Sequence, residues 1–462
     1  MDYDVLVLGG GLIGCAIAYE ISKYNLNIAL IEKDYDIADD VALVNTSIVF
    51  DGLECEDSFT SKLEAMGNGL MDEVTEKFNV PFKRLPSLIL SKDESYIDNL
   101  YDRALKKGIK NIDIIDEINI KEIEPSIPLE CKKAIYNKNT GVICPYDLAL
   151  AYGEIAFDNN VNFKLEEEVL DIKKESKGFK VTTNKNRFSC KIVINTTPNR
   201  SLSIDKEETV HKDTSNGKMK YFTINKDIDI SKSNMIFNVD EGKEVILTVP
   251  TLTGEHIGAV VTNEDIDNSI VLDKVDPLVP SVDLNFISTF YENEHYDEPF
   301  VIDDRSIDIG YIKIISKHYA LVTMAPAISK IVCETIVSHI NCTKRKEFID
   351  KRRDYYKFRD LSNKERTDII KLDARYGNMV CSCDKITEGE IIDAIRRPLG
   401  ARTLEGVKRR TGAALGRCQG SQCLNKILLI LARETNKSLT EIVKDSKNSR
   451  ILLNRVKEFD TM

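Results

Sequence analysis

Near its carboxyl end the chain carries four cysteines in two close pairs. A single serine separates Cys381 from Cys383, and a Gln-Gly-Ser-Gln segment separates Cys418 from Cys423. A helical stretch joins the two pairs, so folding can bring four thiolates together. Four thiolates bind either an iron–sulfur cluster or a tetrahedral zinc ion. The sequence therefore predicts a metal or cluster site at these four cysteines.

The residues between the cysteine pairs predict a helix and a basic surface. Thr387 and Glu390 have the spacing of a capping box, which predicts that a helix starts just after the first pair. Basic side chains can offset the negative charge of a thiolate-bound cluster, or they can form a solvated helix face. Both interpretations stay open for Arg396, Arg397, Arg402, Lys408, Arg409, Arg410 and Arg417.

A second chemical signal lies at the start of the chain, where Gly9, Gly11 and Gly14 have the Gly-x-Gly-x-x-Gly spacing. They follow an apolar run at 5–8 and precede a helical pattern, and Glu32 ends the next apolar run about 20 residues further on. Such glycines allow a tight turn, backbone approach to a pyrophosphate and close helix–strand packing, while the carboxylate accepts from ribose hydroxyls. The motif predicts a dinucleotide-binding fold and leaves FAD and NAD open.

Length and charge narrow the class of protein that positions these groups. A chain of 462 residues suggests about two to four domains, and its net charge of −11 argues against a general nucleic-acid binder. No apolar run approaches the ~20 residues that cross a bilayer, and the first residues lack the pattern of a signal peptide. We therefore expect a cytoplasmic protein without membrane insertion, in which the eleven cysteines stay reduced.

Periodicity outlines the elements between the two motifs. Apolar spacing predicts helices over 60–79, 93–107, 146–158 and 326–340, the last opened by Pro326. Alternating patterns predict strands over 161–195 and 219–262, with a hairpin turn at Thr253-Gly254-Glu255. The charged stretch from Lys344 to Arg366 is poor in apolar residues and is the best candidate for a linker.

The surroundings of the cysteines resemble the bacterioferritin-associated ferredoxin-like domain. That family binds a 2Fe–2S cluster through four cysteines, so the resemblance implies this cluster in place of zinc. The matching stretches are Cys381-Ser-Cys383-Asp-Lys-Ile-Thr387-Glu-Gly-Glu390, Thr403-Leu-Glu-Gly-Val-Lys-Arg-Arg-Thr411 and Gly416-Arg-Cys418-Gln-Gly-x-x-Cys423.

Residues 1–345 resemble the D-amino-acid-oxidase-like FAD oxidoreductases, of the anaerobic glycerol-3-phosphate dehydrogenase and 2-hydroxyglutarate oxidase type. The resemblance implies an α/β fold: a Rossmann-like FAD-binding domain with a mainly antiparallel α+β substrate domain inserted near 81–144 and 201–304. A small helical 2Fe–2S domain at 375–435 follows a linker at 346–374 and precedes a helical extension at 436–462. The matching stretches are Asp4-Val-Leu-Val-Leu-Gly-Gly-Gly-Leu-Ile-Gly14, Pro81-Phe-Lys-Arg-Leu-Pro-Ser-Leu88, Gly141-Val-Ile-Cys-Pro-Tyr146, Val193-Ile-Asn195 and Thr323-Met-Ala-Pro-Ala-Ile328.

The two resemblances together imply FAD and a 2Fe–2S cluster as cofactors. They imply a dehydrogenase that oxidises a small hydroxy-acid, amino-acid or polyol-phosphate substrate and passes electrons through the cluster to a partner protein. The expected FAD contacts are Gly9, Gly10, Gly11, Leu12, Ile13, Gly14, Glu32, Lys33 and Val169.

The chain departs from the family pattern beside the expected flavin position. Phe50 replaces a polar ring, Thr197-Pro198 replaces an Ala-Gly pair, and Ala320-Leu321 replaces a Pro-Gly pair. The stretch 286–296 contains no arginine that could bind an anionic substrate. An electron-transfer or assembly subunit without substrate turnover is therefore the alternative function, and an NAD-binding oxidoreductase is a third.

Few side chains are available as general bases. His256 lies in the predicted hairpin, His318 precedes the late flavin-side loop, and Tyr221 lies in a strand of the predicted substrate domain. Core packing is the simpler interpretation of each of these residues. The sequence predicts no catalytic residue.

Overall fold

The structure is a computed structural model that describes residues 1–39, 47–125, 127, 131–197, 202, 204, 217–224, 234–240, 244–279, 286–315, 317–416 and 418–453. The α-helices are α1 (Leu12–Ser22), α2 (Ser58–Phe78), α3 (Glu94–Lys107), α4 (Glu117–Ile123), α5 (Pro145–Asp158), α6 (Asn268–Val275), α7 (Leu321–His339), α8 (Asn363–Leu372), α9 (Glu388–Arg396), α10 (Leu404–Thr411) and α11 (Leu424–Thr435). The predicted helices at 60–79, 93–107 and 146–158 are confirmed as α2, α3 and α5.

The strands alternate with these helices along the chain. They are β1 (Tyr3–Leu8), β2 (Ile28–Ile31), β3 (Ile48–Val49), β4 (Phe82–Arg84), β5 (Ser87–Leu90), β6 (Ile112–Asp116), β7 (Lys133–Asn137), β8 (Gly141–Ile143), β9 (Asn162–Lys164), β10 (Val169–Glu175), β11 (Gly178–Thr183), β12 (Arg187–Asn195), β13 (Gly217–Ile224), β14 (Met235–Asp240), β15 (Glu244–Pro250), β16 (His256–Thr262), β17 (Ile287–His295), β18 (Val301–Asp303), β19 (Tyr311–Ile315), β20 (Met379–Cys381) and β21 (Ile386–Thr387).

The first sheet carries the predicted dinucleotide motif. Strands β12, β1, β2 and β9 pair in parallel, and β19 adds to β12 in the same direction. The β10–β11 hairpin extends this sheet in antiparallel fashion. Both faces of β1 and β2 are covered, which explains why these strands are continuous apolar runs with no polar alternation.

A second sheet forms the inserted domain, in the order β17-β13-β16-β15-β14-β5-β7-β6. All its neighbouring strands are antiparallel except β14 and β5, which confirms the mainly antiparallel fold expected for this part. The predicted hairpin joins β15 to β16, and Thr251 N–H donates to the carbonyl of Glu255 across the turn at 2.8 Å.

Helix α7 differs from the helix predicted to open at Pro326. It begins at Leu321 and contains the proline within its second turn. Proline lacks one N–H donor, and the burial of α7 between α1 and α2 outweighs this loss. The helix is long and apolar enough to cross a bilayer, but 61% of that stretch is buried inside the protein, so it is a core helix.

The small carboxyl-terminal domain has its own apolar core, formed by α9, α10 and α11 around the short β20–β21 ladder. The segment 346–374, predicted as a linker, is ordered: it contains α8, and Arg352 is buried because it pairs with Glu154 of α5. The helical extension predicted at 436–462 is wrong for residues 436–453. These contain a 3-10 turn at Leu439–Glu441 and no α-helix, while 454–462 lie outside the described residues.

Candidate functional site

The turn between β1 and α1 requires its glycines. Gly9 has a φ of +102°, in the region that favours glycine. A Cβ atom on Gly14 would lie 2.0 Å from the carbonyl oxygen of Gly9, so only glycine allows α1 to approach the strand this closely. Gly10 N–H donates to Glu32 Oε2 at 2.6 Å, which brings the predicted acidic residue to the turn.

The amino terminus of α1 has no side-chain cap among the described residues. The helix starts at Leu12 after Gly11, and no acidic residue lies in its first turn, which the structure describes in full. Unpaired N–H groups and the positive end of the helix dipole are the elements that bind a pyrophosphate. The turn and the helix start therefore fit the diphosphate of a dinucleotide.

The remaining predicted FAD contacts surround this turn. Val169 starts β10 and is buried in an apolar cluster with Leu8 and Ile31, the last residues of β1 and β2. Lys33 is largely exposed and lies 3.7 Å from Asp34. The fold thus places these residues on one edge of the sheet, and their contacts with FAD stay predictions.

Large side chains occupy the region of the family departures. The ring of Phe50 packs edge-on against Tyr319 with centroids 4.9 Å apart, and it also contacts Phe237 of the inserted sheet. Ala320 is buried in the same apolar cluster, directly before the first residue of α7. Pro198 lies outside the described residues. The inserted sheet and α7 therefore meet through apolar contacts.

Behind Phe50 lies a buried polar cluster that the sequence analysis missed. One ligand-type atom each from Cys55, Glu64 and His318 lies within 4.8 Å of the other two. All three residues are buried, and neither Glu64 Oε2 nor His318 Nε2 has a hydrogen-bond partner in the structure. Cys55 and Glu64 lie close together in sequence, near the start of α2, but His318 comes from a distant part of the chain. No sequence motif could therefore have predicted this cluster.

The cluster consists of residue types that bind metal ions, but the proton on the His318 ring is on the wrong nitrogen for metal binding. Ala320 N–H donates to His318 Nδ1 at 3.1 Å, so the neutral ring carries its proton on Nε2. A histidine that binds a metal through Nε2 normally donates from Nδ1 to an acceptor, which is the opposite arrangement. We therefore assign no cation to this cluster.

Burial favours the uncharged forms of Glu64, of the neighbouring Glu54 and of His318. Burial and the nearby carboxylates of Glu54 and Asp51 raise the pKa of Glu64 to about 8. Burial also raises the pKa of Glu54 to about 7 and lowers the pKa of His318 to about 3. Lys107 donates to the backbone carbonyls of residues 52, 53 and 55. It thereby fixes the loop that carries Glu54 and Cys55.

The other candidate residues of the inserted domain pack in its sheet. Tyr221 stacks on Tyr291 with ring centroids 4.9 Å apart, and burial raises its pKa to about 12. His256 is buried at the start of β16. Their geometry agrees with core packing and adds no catalytic residue.

The four predicted cysteine ligands do converge. The Cys383 side chain interacts with that of Cys418, and the Cys423 side chain with that of Cys381. Four thiols gathered at one place in the small domain provide the ligand set that either an iron–sulfur cluster or a zinc ion needs.

The cysteine site has a buried side and an open side. Cys381 and Cys423 are buried, whereas Cys383 and Cys418 are half-buried. A Cβ atom on Gly416 would lie 2.8 Å from the Cβ of Cys383, so a glycine is needed for the two cysteine loops to approach. The half-buried pair therefore forms the solvent-facing edge of the site.

The basic residues near the cysteines mainly form ion pairs. Arg410 binds Asp36, Arg409 binds Asp39, and Arg397 binds Glu154, all across the boundary with the large domain. Arg396 and Lys408 pair with glutamates of the small domain itself, and Arg402 donates to backbone carbonyls. Arg417 lies outside the described residues. Arg397, Arg409 and Arg410 thus connect the two domains, which is a role that neither interpretation of the sequence included.

Comparison with known proteins agrees with both halves of this geometry. Residues 4–334 match the family model described as FAD dependent oxidoreductase. The chain belongs to this family. Residues 379–433 of this FAD dependent oxidoreductase match the BFD-like [2Fe-2S] binding domain.

The chain is similar to proteins of assigned activity, in one case over nearly its full length. The chain is 34% identical to the glycerol 3-phosphate dehydrogenase of Caloramator mitchellensis, over 97% of this chain and 98% of the relative. It is 32% identical to the mitochondrial L-2-hydroxyglutarate dehydrogenase of Nematostella vectensis, over 33% of this chain and 34% of the relative. The FAD-bound L-alpha-glycerophosphate oxidase of Mycoplasma pneumoniae has the same fold, with a TM-score of 0.66 at 20% identity, over 77% of this chain and 99% of that one.

These findings confirm the two resemblances and the cofactors that they implied. The cofactors of the FAD dependent oxidoreductase are FAD in the large domain and a 2Fe–2S cluster in the small one. This decides between FAD and NAD, which the glycine motif alone had left as alternatives. The uncapped helix start and the four converging thiols are the features of this chain that fit them.

Proposed function

We propose that this oxidoreductase is a cytoplasmic dehydrogenase that oxidises glycerol 3-phosphate or a small 2-hydroxy acid and passes the electrons through its 2Fe–2S cluster to a partner protein. When bound, FAD supplies a two-electron acceptor and the cluster a one-electron carrier. The names of the relatives motivate the substrate classes.

The observation that carries the proposal is the fixed docking of the two redox modules. Arg397 of the small domain and Arg352 of the connecting segment both bind the buried carboxylate of Glu154 on α5. Helix α5 also packs against α10 of the small domain and against α1 and α2 of the large domain. The two redox modules therefore meet at α5, which supports electron transfer between them.

The chain's own residues have defined tasks in this scheme. The Gly9–Gly14 turn and the start of α1 would hold the cofactor diphosphate, and the buried side of the inserted sheet would exclude water around Phe50 and Phe237. Because 286–296 contains no arginine, the anionic end of the substrate needs another cation. The substrate panel below therefore has to include both phosphate and carboxylate compounds.

Anaerobic substrate mixing tests the proposal. Protein containing flavin and cluster should lose its flavin absorbance on addition of glycerol 3-phosphate or L-2-hydroxyglutarate. Cys383→Ser should keep this loss but should no longer reduce a one-electron acceptor protein at the wild-type rate. If no compound of the panel reduces the flavin, dehydrogenase activity on these substrates is ruled out.

The packing of Phe50 against Tyr319 favours a second candidate function. Phe50 puts an apolar ring, packed against Tyr319, where the family pattern has a polar ring beside the flavin, so this position offers no polar group to a substrate. An electron-transfer or assembly subunit would keep the cluster and lack substrate turnover. Such a protein would show the cluster spectrum, and dithionite but no substrate would reduce it.

A further inference from the structure

The segment after β2 binds both the N–H and the C=O of Gly10, which lies between the first two glycines of the Gly-x-Gly-x-x-Gly motif. Gly10 N–H donates to Glu32, while Gly10 C=O accepts from Ala38 N–H at 2.9 Å and from the Cys15 thiol at 3.3 Å. Ala38 has a φ of +63°, which alanine rarely adopts, so its surroundings have to hold it there. A contact that fixes residues 36–38 therefore also fixes Gly10.

The 2Fe–2S domain provides that contact. Arg410 on α10 donates to both oxygens of Asp36, at 2.6 and 2.7 Å, and these side chains are 4% and 3% exposed. A Cβ atom on Gly406 would lie 2.5 Å from Asp36 Oδ2, so the glycine allows α10 to reach the carboxylate. Asp36 Oδ1 also accepts from Ile37 N–H at 2.8 Å, which transmits the restraint to the backbone. Bidentate pairs of this kind restrict orientation as well as distance.

We propose that Asp36 and Arg410 are positioning residues through which docking of the 2Fe–2S domain orders the Gly9–Gly14 turn for FAD. The inference rests on the FAD-binding part of the proposed function and on neither its substrate nor its electron acceptor. Coupling between two binding events is reciprocal. Bound FAD therefore stabilises the docked domain by the same factor by which docking tightens FAD binding.

FAD titration of apoprotein tests the pair. Asp36→Asn and Arg410→Met should each raise the dissociation constant of FAD at least about tenfold, with the iron and sulfide content unchanged. Arg396→Met is the matched control, because Arg396 is 58% exposed and pairs with Glu434 inside the small domain. Dissociation constants within twofold of wild type for both variants would overturn the inference. Wild-type protein that binds no FAD would instead overturn the proposed function.

A measurement on wild-type protein covers the case in which the variants do not fold. Hydrogen exchange of the α10 amides, Leu404–Thr411, should slow when FAD saturates the full-length protein, although this helix lies outside the glycine turn. Exchange rates in α10 that do not change with FAD contradict the coupling directly.

Discussion

The glycine turn allows a prediction whose size follows from one distance. Replacement of Gly14 by alanine puts a Cβ atom 2.0 Å from the carbonyl oxygen of Gly9. Such contacts are not tolerated below 3.0 Å, so the start of α1 has to move away from β1 by about 1 Å. Overpacking of this kind costs about 1–3 kcal/mol of unfolding free energy.

The same displacement weakens cofactor binding, because it moves the amide donors of α1 away from the diphosphate. Loss of one hydrogen bond to a charged group costs about 1.5–3 kcal/mol, which corresponds to an increase of at least about tenfold in the dissociation constant of FAD. Fluorescence titration of apoprotein measures this constant, and urea denaturation measures the stability.

Gly69→Ala is the matched control for this substitution. A Cβ atom on Gly69, in the middle of α2, meets nothing within 4 Å, so alanine should raise the unfolding free energy by about 0.5–1 kcal/mol. FAD affinity should stay unchanged. The reasoning fails if Gly14→Ala matches wild type in both FAD affinity and stability.

Three further predictions concern buried charge, pH and the cluster. Glu154→Gln should lower the unfolding free energy by at least about 2 kcal/mol in a urea titration, because two arginines lose a buried partner. The control is Glu117→Gln, which removes an exposed ion pair and should change the unfolding free energy by less than about 0.5 kcal/mol. The pKa of Glu64 is about 8 in the folded protein against 4.5 ordinarily, so the folded state keeps a proton that the unfolded chain releases, and stability should fall as the pH rises between these values. Denaturation at about pH 5 and about pH 8 should show that Glu64→Gln reduces this fall; an unchanged pH dependence would contradict the assignment. Cys383→Ser should remove the visible absorption and the iron of the cluster, whereas Cys342→Ser, at a cysteine outside the cluster site, should retain both.

The parts of the site that depend on local spacing could be predicted from the sequence. Gly9, Gly14 and Glu32 form a strand–turn–helix–strand unit whose geometry is set within about 30 residues, and the cysteine loops are similarly local. The capping box of Thr387 and Glu390 is confirmed for the same reason.

Contacts between distant segments could not be predicted in this way. Asp36 and Arg410 are 374 positions apart, and Glu154 meets Arg352 and Arg397 only after three parts of the chain have folded. Charged residues in a sequence resemble a solvated surface unless their partners are known. For this reason the segment around Arg352 was expected to be a simple linker.

The buried ion pairs at the domain boundary also determine where a second protein can meet the cluster. Arg397, Arg409 and Arg410 of the small domain all pair with carboxylates of the large domain, and no more than 8% of any of these three side chains is exposed. The structure thus shows the small domain docked, unlike a carrier on a flexible tether. If the proposed acceptor protein exists, it has to approach the edge at Cys383 and Cys418, and its own shape must match that edge. The surface around Cys383 and Cys418 then determines which acceptor protein can bind, and the length of the connecting segment does not.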